Sequence, residues 1–514
     1  MVLVFKMYTN AFFKINDPNS TSVANIPIHS SWWSRQYEYP WAFEFAKPGL
    51  TVADMGCGYT YRPFKNMLAT VCKKVYAVDS RKEALSIKIA EKNIDFVLAD
   101  FTKPLTTKIP TKLDHIFCLS VLEEGVNLQK ALEQFKKLLK ADGLIILTFD
   151  VIANPDKPVG KYQGVNLDKF FKAVKKVNLK VVGGMDFSLE RRLTHPEWNL
   201  SPFHCVLCRA DYPYKFKHHQ KTSSVLRWVK KNYIKGNGIA SWPGYSAYPE
   251  VTGYLIPTLL SHGEVNLARK LANWLVKVQD KSGGFLGLDG KLRSFDTAAA
   301  LRGLEIAVGY FSDKELAKAV DSAGKWIVEN TLSEDGRIFS QPDKKELCNY
   351  SLRVNGILDI KARWIDNRNP SWPFLSHADR SHYIAYALEG FLALGLDSEA
   401  KKVLANVEKG VIGPGFIAYQ VGENWTPQAK YACYTATAQV GLLLTRLGIK
   451  SELQKTFLGN LFNALDKNGG LPARNGSMAT SWTAKWLLDF EDAFFDAEVV
   501  NFLNQLSKYA LQGT

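Results

Sequence analysis

The sequence predicts an α/β domain with a parallel sheet, followed by an all-α domain of repeated helical hairpins. In the N-terminal part, short apolar runs end in glycine or acidic residues and alternate with helical stretches, as in a sheet covered by helices. In the C-terminal part, a helical segment of small and apolar residues recurs five or six times. A chain of 514 residues exceeds the size at which one core stops growing, so two domains are expected.

Composition narrows the class of protein. The net charge of +15 is spread over both halves, which suits an anionic partner such as an acidic glycan, a lipid-linked precursor or a membrane surface. A lysine-rich proteome explains it as well, and this is the interpretation we favour. No arginine-rich arm occurs, so nucleic acid is not expected as a partner. No transmembrane segment, signal peptide or metal-ligand cluster is expected, and the scattered cysteines suggest a reducing, cytoplasmic location.

The most informative motif is the first strand and the loop after it. The strand Val52-Ala-Asp54 leads into Gly56 and Gly58, which let a backbone approach a ligand closely. The next apolar run ends at Asp79, a carboxylate that can accept two ribose hydroxyls. The pattern therefore predicts a nucleotide-type pocket.

Asp54 narrows the ligand to S-adenosylmethionine. A pyrophosphate requires helix N-terminal amides without a nearby negative charge, whereas a methionine moiety carries an ammonium and a sulfonium. The dinucleotide fingerprint also places a third glycine where this chain has Tyr61. We therefore expect S-adenosylmethionine as the cofactor.

Two further strand ends follow. Asp100 and Phe101 can bond an adenine amino group and cover its ring. The fourth strand ends at Ser120, and Glu123 comes soon after it as a tentative base for methyl transfer. The last two strands are predicted at 179–182 and 203–208.

These motifs resemble those of class I S-adenosylmethionine-dependent methyltransferases of the type-11 kind. The resemblance implies a Rossmann-like α/β domain over residues 48–210. One departure is Thr60, where the family often has a third glycine. The cofactor-binding residues that it implies are Asp54, Gly56, Gly58, Asp79, Asp100, Phe101 and Ser120.

Residues 1–47 are predicted to form a lid over the methyltransferase site. The segment is rich in aromatic and charged side chains, and Trp33, Arg35 and Tyr37 are its candidate substrate-binding residues because aromatic faces match pyranose rings. Alternatively, the aromatic residues only dock an N-terminal helix on the sheet. A basic linker is predicted at 211–223, and it leads into the second domain at 224–514.

The second domain contains a gapless repeat of eight residues. Small second residues predict close helix approach, and amphipathic helices with glycine turns lie between the copies. One spacing is short, and its insert at 363–374 is a candidate functional loop. The copies begin at Thr252, Thr297, Ile384, Thr437 and Thr483, with a weaker one at Ser351.

This organisation resembles the (α/α)5-6 toroids, the fold of six-hairpin glycosidases, polysaccharide lyases and terpenoid cyclases. In such toroids the N-termini of the inner helices line a funnel, so the residues just before each repeat are candidate site residues. Glu250 and Asp296 are a candidate acid and base, although Asp296 is equally an N-cap. His377 and His382 are tentative catalytic residues, and Trp242, Tyr248, Arg380 and Tyr383 are candidate substrate-binding residues.

Three functions fit the sequence. We prefer a sugar O-methyltransferase of polysaccharide biosynthesis whose toroid binds or processes the same glycan. In the second, the toroid only binds. The third is a methyltransferase for a lipid, terpenoid or other small molecule with a non-catalytic toroid, which an apolar funnel would favour.

Overall fold

The computed structural model describes residues 10–58, 63–83, 91–155, 157, 164–211, 219–360 and 380–511. The strands are β1 (Asn10–Phe12), β2 (Ser22–Val23), β3 (Ile26–Pro27), β4 (Thr51–Met55), β5 (Lys74–Asp79), β6 (Ile94–Leu98), β7 (Leu113–Leu119), β8 (Leu139–Ile152), β9 (Leu179–Val181), β10 (Met185–Asp186), β11 (Leu200–Arg209), β12 (Val411–Ile412) and β13 (Phe416–Ile417). The helices of the N-terminal part are α1 (Arg35–Phe43), α2 (Phe64–Ala69), α3 (Leu128–Leu138) and α4 (Leu167–Lys176).

A mixed sheet organises the N-terminal part, which we call the sheet domain. Its strands follow the order β6, β5, β4, β7, β8 and β11. The first five are parallel, and β11 runs antiparallel to β8. Parallel strands end at the same edge of a sheet, so the residues that follow β4, β5, β6 and β7 are brought together. The predicted α/β fold of this part is confirmed.

The N-terminal segment is more than the predicted lid. Strand β1 pairs with β11 and β10, so it belongs to the sheet. The fully buried amide of Asn10 donates to the carbonyls of Val182 and Gly184, and its oxygen accepts from the amide of Val206. Because these bonds satisfy buried backbone groups, β1 is a structural strand. Among the described residues of the segment, Arg35 and Tyr39 of α1 line a cavity at the carboxyl edge of the sheet.

The C-terminal part is helical, and six of its helices form a closed ring. Each ring helix contacts the next, and the last contacts the first. In this order they are α6 (Pro249–Ser261), α8 (Ser294–Phe311), α10 (Ser351–Ile357), α11 (Ser381–Ala393), α13 (Tyr434–Arg446) and α15 (Ser481–Leu511). The remaining helices pack outside them: α5 (Thr222–Lys231), α7 (Val265–Val278), α9 (Lys314–Asn330), α12 (Asp397–Leu404) and α14 (Leu453–Asn463). The predicted all-α character of this part is confirmed.

Small residues explain how closely the ring helices pack. A Cβ on Gly253 of α6 would strike the backbone of Ala299 in α8, and one on Gly303 would strike the backbone of Gly253. The same happens between α10 and α11, where a Cβ on Gly390 would strike the carbonyl of Leu352. Backbone-to-backbone contact of this kind leaves no room for a side chain, which is why the repeat needs small residues.

The hydroxyl that opens most repeats also has a structural role. Thr252 accepts a 2.9 Å hydrogen bond from the amide of Ile239, and Thr297 accepts one from Phe285. Ser351 and Thr437 do the same for Ile338 and Ile417. Each hydroxyl therefore ties a ring helix to the turn before it, which satisfies a buried backbone donor.

The sheet domain packs against the C-terminal end of α8 and the middle of α15. Phe171 of α4 stacks on Tyr310 near the end of α8, with ring centroids 5.9 Å apart. Asn166 donates to the carbonyl of Phe311, and the amide of Gly184 donates to Asp496 of α15. The N-terminal end of α8 therefore faces away from the sheet domain.

The predicted insert at 363–374 and most of the predicted linker lie outside the described residues. Among the helices that the structure describes, none combines the length and the apolar character needed to cross a bilayer.

Candidate active sites

A cavity of about 300 Å³ lies at the carboxyl edge of the sheet, where β4, β5, β6 and β7 end. All seven predicted cofactor-binding residues line it, and the helix α1 contributes Arg35 and Tyr39. The other lining residues are Cys57, Phe64, Ser80, Arg81, Thr102, Leu119, Val121, Glu124 and Val126. Its size is at the lower end of the range for ligand pockets.

The glycine loop brings backbone close to this cavity. Gly56 and Gly58 have φ values of +79° and +74°, which favour glycine. A Cβ on Gly56 would lie 2.5 Å from a methyl group of Val121. The amide of Gly58 donates a 2.9 Å hydrogen bond to Asp79 Oδ2, so the loop and the acidic residue of the next strand hold each other in place.

Asp54 has a partner that the sequence did not suggest. Its side chain is buried, and the backbone amide of Lys65 in the first turn of α2 donates to it. Burial raises the pKa of Asp54 to about 7, against the opposing effect of the nearby Lys65 ammonium. Asp54 therefore caps α2 while it lines the cavity, and a cationic ligand group would favour its ionised form.

The third strand end has the predicted acidic and aromatic pair. Asp100 Oδ1 accepts from the amide and hydroxyl of Thr102, and the Thr102 hydroxyl lowers the pKa of Asp100. Phe101 is buried, and its ring lies 5.5 Å from that of Phe135. Packing and hydrogen bonds thus orient both residues beside the cavity.

Arg35 and Glu38 of α1 form a buried polar cluster with Ser120. Arg35 donates at 2.8 Å to Glu38 Oε1 and at 2.6 Å to Ser120 Oγ, which in turn donates to Glu38 Oε2. Thr148 also donates to Glu38. Burial opposes ionisation, but Arg35 and these hydroxyls lower the pKa of Glu38. Ser120 has a φ of +49°, a costly conformation that this cluster holds at the end of β7.

Next to this cluster lies a pair of acidic residues, Glu123 and Asp150. Burial and the neighbouring Asp150 raise the pKa of Glu123 well above its ordinary value. Burial and Glu38 raise the pKa of Asp150 to about 7. Glu123 Oε2 and Asp150 Oδ1 are buried and accept no hydrogen bond from the described residues. Two such neighbouring carboxyl groups hold at least one proton near neutral pH.

Sequence reasoning missed Asp150 and Lys65. Asp150 lies near the end of the fifth parallel strand, β8, so the rule that such ends meet could have found it. For Lys65 the sequence holds no comparable signal, since its position depends on how α2 packs.

The other two predicted lid residues lie elsewhere. The Trp33 ring lies 5.1 Å from His195, on the connection between β10 and β11. Tyr37 donates to the carbonyl of Ile15, and its ring lies 6.4 Å from Phe13. Neither lines the cofactor cavity. Both dock α1 on neighbouring segments, in line with the alternative considered for this stretch.

A second group of acidic residues lies at the N-terminal end of the helix ring. Tyr248 donates to Asp296 Oδ1 in the next ring helix and also bonds to Glu250. Burial and Asp296 raise the pKa of Glu250 to about 8, whereas burial raises that of Asp296 to about 6. The helix α8 begins at Ser294 with Arg293 as its N-cap, so the N-cap interpretation of Asp296 is wrong.

Aromatic side chains lie next to Glu250 and Asp296 at the N-terminal end of the helix ring, which we call the ring entrance. Phe295 stacks on Tyr350 at 3.8 Å, and Tyr350 meets Tyr383 edge-on at 5.1 Å. On the other side, Trp242 meets Trp482 at 4.9 Å. Broad aromatic faces with a few polar groups are the composition of a small-molecule site.

The remaining predicted residues lie further round the entrance. Arg380 Nη1 donates at 3.1 Å to the Tyr383 hydroxyl. The His382 ring lies 4.4 Å from Tyr383 and 5.9 Å from Tyr419. His377 lies outside the described residues.

Comparisons with known proteins give a family match within the sheet domain. Residues 53–147 match a family model described as a methyltransferase domain. No curated protein matches the chain.

Three similar solved structures come from named bacteria. An α-amylase from Clostridium perfringens is 14% identical, with a TM-score of 0.44 over 55% of this chain and 99% of that one. A TehB-like S-adenosylmethionine-dependent methyltransferase from Corynebacterium glutamicum is 16% identical, with a TM-score of 0.25 over 34% and 86%. An rRNA methylase from Streptococcus thermophilus is 17% identical, with a TM-score of 0.24 over 34% and 95%.

The family match covers the strands that build the cofactor cavity, from Ala53 to Leu147. The glycine loop, the buried Asp79 and the aromatic wall at Phe101 fit the cofactor that this domain uses. Residues 53–147 are thus a methyltransferase domain, and the protein is an S-adenosylmethionine-dependent methyltransferase.

Proposed function

We propose that the enzyme methylates a hydroxyl group of a saccharide and that its helix ring, as an (α/α)6 toroid, binds and processes the same glycan. The observation that carries the saccharide assignment is the group of Tyr248, Glu250 and Asp296 set among aromatic rings at the ring entrance. Aromatic faces suit the apolar faces of sugar rings, and paired carboxyl groups suit acid-base chemistry on glycosidic bonds.

The chain's residues suit each part of the cofactor. Asp79 would accept the ribose hydroxyls, and Asp100 with Phe101 would hold the adenine. Asp54 would attract the methionine ammonium. Arg35 lines the same cavity, and its guanidinium suits the methionine carboxylate, a role that differs from the substrate-binding one predicted for it. When bound, the cofactor supplies an electrophilic methyl group.

Glu123 and Asp150 are the proposed acid-base pair for the acceptor. A sugar hydroxyl becomes a better nucleophile when a base takes its proton. Asp150, with a pKa of about 7, is the member that is ionised first as pH rises, while Glu123 stays protonated. We therefore assign the base to Asp150 and propose that Glu123 donates a hydrogen bond to the acceptor, a role that differs from the one predicted for it from the sequence.

In the toroid, the two carboxyl groups have distinct proposed roles. Glu250, with a pKa of about 8, carries a proton at neutral pH and can donate it to a glycosidic oxygen. Asp296, with a pKa of about 6, is ionised and can accept a proton from water. Tyr248 bonds to both and holds them in register. Two carboxyl groups whose surroundings separate their pKa values commonly act as the acid and the base of one reaction.

The terpenoid alternative receives less support from the entrance. We expected it to show an apolar funnel with few polar groups. Instead, Glu250, Asp296 and Arg380 stand among the aromatic rings. Polar groups at this density suit a hydroxyl-rich ligand better than a hydrocarbon.

The test uses the full-length protein with S-adenosylmethionine and a panel of oligosaccharides. Methylated products are followed by mass spectrometry, and cleavage is followed by the release of reducing ends. We expect Glu250→Gln and Asp296→Asn to abolish cleavage and to leave methylation intact. Glu315→Gln, on the exposed side of α9, is the matched control.

Three results would contradict the proposal. If no saccharide is methylated, the acceptor class is wrong. If cleavage persists in both toroid variants, Glu250 and Asp296 are not its catalytic residues. If cleavage is absent from the unmodified protein, the ring is a binding module without catalysis.

A further inference from the structure

Four exposed apolar side chains lie on the loops that lead into three neighbouring ring helices. These helices are α15, α6 and α8, which follow one another in the closed ring. A β-bridge closes each loop, at 472–479, 240–247 and 286–292, so the loops are short hairpins at the ring entrance. The four side chains are between 46% and 63% exposed, and among the described residues only two other large apolar side chains are exposed. We call these four residues the apolar rim: Tyr245, Leu286, Leu288 and Met478.

The hairpins that carry the apolar rim are held by their own hydrogen bonds. In the loop before α8, the amide of Gly287 donates at 2.8 Å to the carbonyl of Lys291. In the loop before α15, Ser477 Oγ donates at 2.9 Å to the carbonyl of Arg474. The folded loops therefore hold the rim side chains in water, where each exposed apolar group raises the free energy. A cluster of such groups at one end of a protein indicates a binding surface.

A pair of tryptophans packs beside the rim. The Tyr245 ring lies 5.3 Å from that of Trp242, which in turn lies 4.9 Å from the ring of Trp482 at the start of α15. Tyrosine and tryptophan rings combine an apolar body with a polar group, so they are enriched where an apolar phase meets water. The rim and the tryptophans together have the composition of a surface that lies at such a boundary.

The three loops also carry an excess of positive charge. Over 233–247, 280–293 and 466–480 the chain has six basic and three acidic residues. The next loop of the ring, at 332–350, is described throughout and has neither an exposed large apolar side chain nor a basic excess. Apolar exposure and positive charge therefore occur together on one arc of the entrance. The basic residues of this arc are Lys235, Lys281, Lys291, Arg293, Lys467 and Arg474, and the acidic ones are Asp280, Asp289 and Asp466.

An anionic lipid surface is the partner that fits both features. The rim side chains stand on three separate hairpins, and a fluid bilayer accepts separate apolar side chains without a complementary shape. Lipid phosphates attract lysine and arginine near the surface. Two copies of the same arc would bring like charges together, which opposes a dimer through this face. A nucleic acid would bind the charges but leave Leu288 and Met478 in water.

We propose that the apolar rim and its basic neighbours dock the enzyme on the surface of an anionic lipid bilayer. Leu288 and Met478 enter the boundary between headgroups and acyl chains, and the Tyr245 ring lies among the headgroups. The exposed Lys291 and Arg474 contact the phosphates. This docking goes beyond the proposed function and does not depend on it, because the bilayer itself is the ligand.

Sedimentation of the full-length protein with lipid vesicles tests the docking. One set of vesicles is pure phosphatidylcholine, and the other is an equal mixture of phosphatidylcholine and phosphatidylglycerol. The protein should bind the mixture more tightly than pure phosphatidylcholine, and this preference should fall as salt rises. The double variant Leu288→Ser with Met478→Ser should bind the mixture about tenfold more weakly or worse, because it loses apolar contact with the acyl chains. Lys291→Ala should weaken the same binding by about fivefold.

Two control variants change the same kinds of side chain in the sheet domain. Ile15→Ser replaces an apolar side chain that is 52% exposed, and Lys176→Ala removes an exposed charge at the end of α4. Neither should change binding to the vesicles. All the substituted positions are exposed, so thermal unfolding should show that every variant is as stable as the unmodified protein.

Three results would overturn the docking. The first is a protein that sediments with neither set of vesicles. The second is a loss of binding in the Leu288 and Met478 double variant that is no larger than the loss in Ile15→Ser. The third is self-association in sedimentation velocity that the double variant abolishes while vesicle binding is absent, which would make the rim an interface between copies of the chain.

Discussion

Glu190 of the sheet domain accepts a 2.8 Å hydrogen bond from Arg302 Nε in the middle of helix α8. The same carboxylate lies 3.4 Å from Arg353 of α10, whose Nε is 3.2 Å from Glu389 of α11. The connection between β10 and β11 thus places a carboxylate among the charged residues of the helix ring. Burial opposes its charge, but Arg302 and Arg353 hold the pKa of Glu190 well below its ordinary value.

Replacement of Glu190 by Gln should destabilise the protein by about 3 kcal/mol, because two buried arginines lose their carboxylate. Urea unfolding of the full chain measures this, with the exposed Glu197→Gln on the same connection as control. The native carboxylate contributes its stability above the pKa of an unfolded glutamate, about 4.3. This contribution declines as pH falls below the unfolded pKa and is gone below the lower native pKa, so the stability difference between the native protein and the Glu190→Gln variant should shrink only below about pH 4.3. Equal stability of both variants would contradict the role.

Replacement of Asp79 by Asn should weaken binding of S-adenosylmethionine by about tenfold to a hundredfold. The amide keeps one acceptor for the Gly58 N–H but offers a weaker acceptor to the ribose hydroxyls. Calorimetric titration measures the effect. Asp95→Asn, on the neighbouring strand β6, is the control, since the half-exposed side chain of Asp95 pairs with Lys74 away from the cofactor cavity. Unchanged affinity in the Asp79 variant would exclude the ribose role.

Methyl transfer should increase with pH through about 7, since Asp150 must lose its proton to act as a base. Asp150→Asn should lower kcat by about 10²-fold to 10⁴-fold and remove this pH dependence. The affinity for S-adenosylmethionine should stay the same, because Asp150 does not line the cofactor cavity. Formation of S-adenosylhomocysteine with a saccharide acceptor is the measurement, with the exposed Asp142→Asn as control. A variant that keeps the pH profile would argue against this base.

Two glycine substitutions should have opposite signs. Gly303→Ala places a methyl group against the backbone of Gly253, so α6 and α8 must separate, and we expect a loss of about 2 kcal/mol or more. Gly324→Ala lies on the outer helix α9 with no atom near the added carbon, so it should gain about 0.5–1 kcal/mol. Thermal unfolding of both variants measures the difference. A tolerated Gly303→Ala would mean that the ring helices do not depend on this close approach.

The cofactor-binding residues could be predicted because a local sequence pattern marks each of them. Each of Asp54, Asp79 and Asp100 lies at or just after the end of an apolar run, and parallel strands bring such ends to one edge. Asp150 obeys the same rule, but it stands inside the long strand β8, so no turn residue after it marks a strand end in the sequence. The strand β1 was missed for another reason. Three residues carry no periodicity, and only pairing with β11 makes Asn10–Phe12 a strand.

The sequence by itself determined the two classes of domain, the cofactor and the positions of the ring helices, since strand ends, small residues and hydroxyls repeat at fixed intervals along the chain. The tertiary structure alone decided which charges meet. Tyr248 and Asp296 are joined across 48 residues, and Glu190 reaches Arg302 from another domain. Such contacts depend on packing and burial, which also set the pKa values of Glu250, Asp296 and Asp150, and no local pattern encodes them.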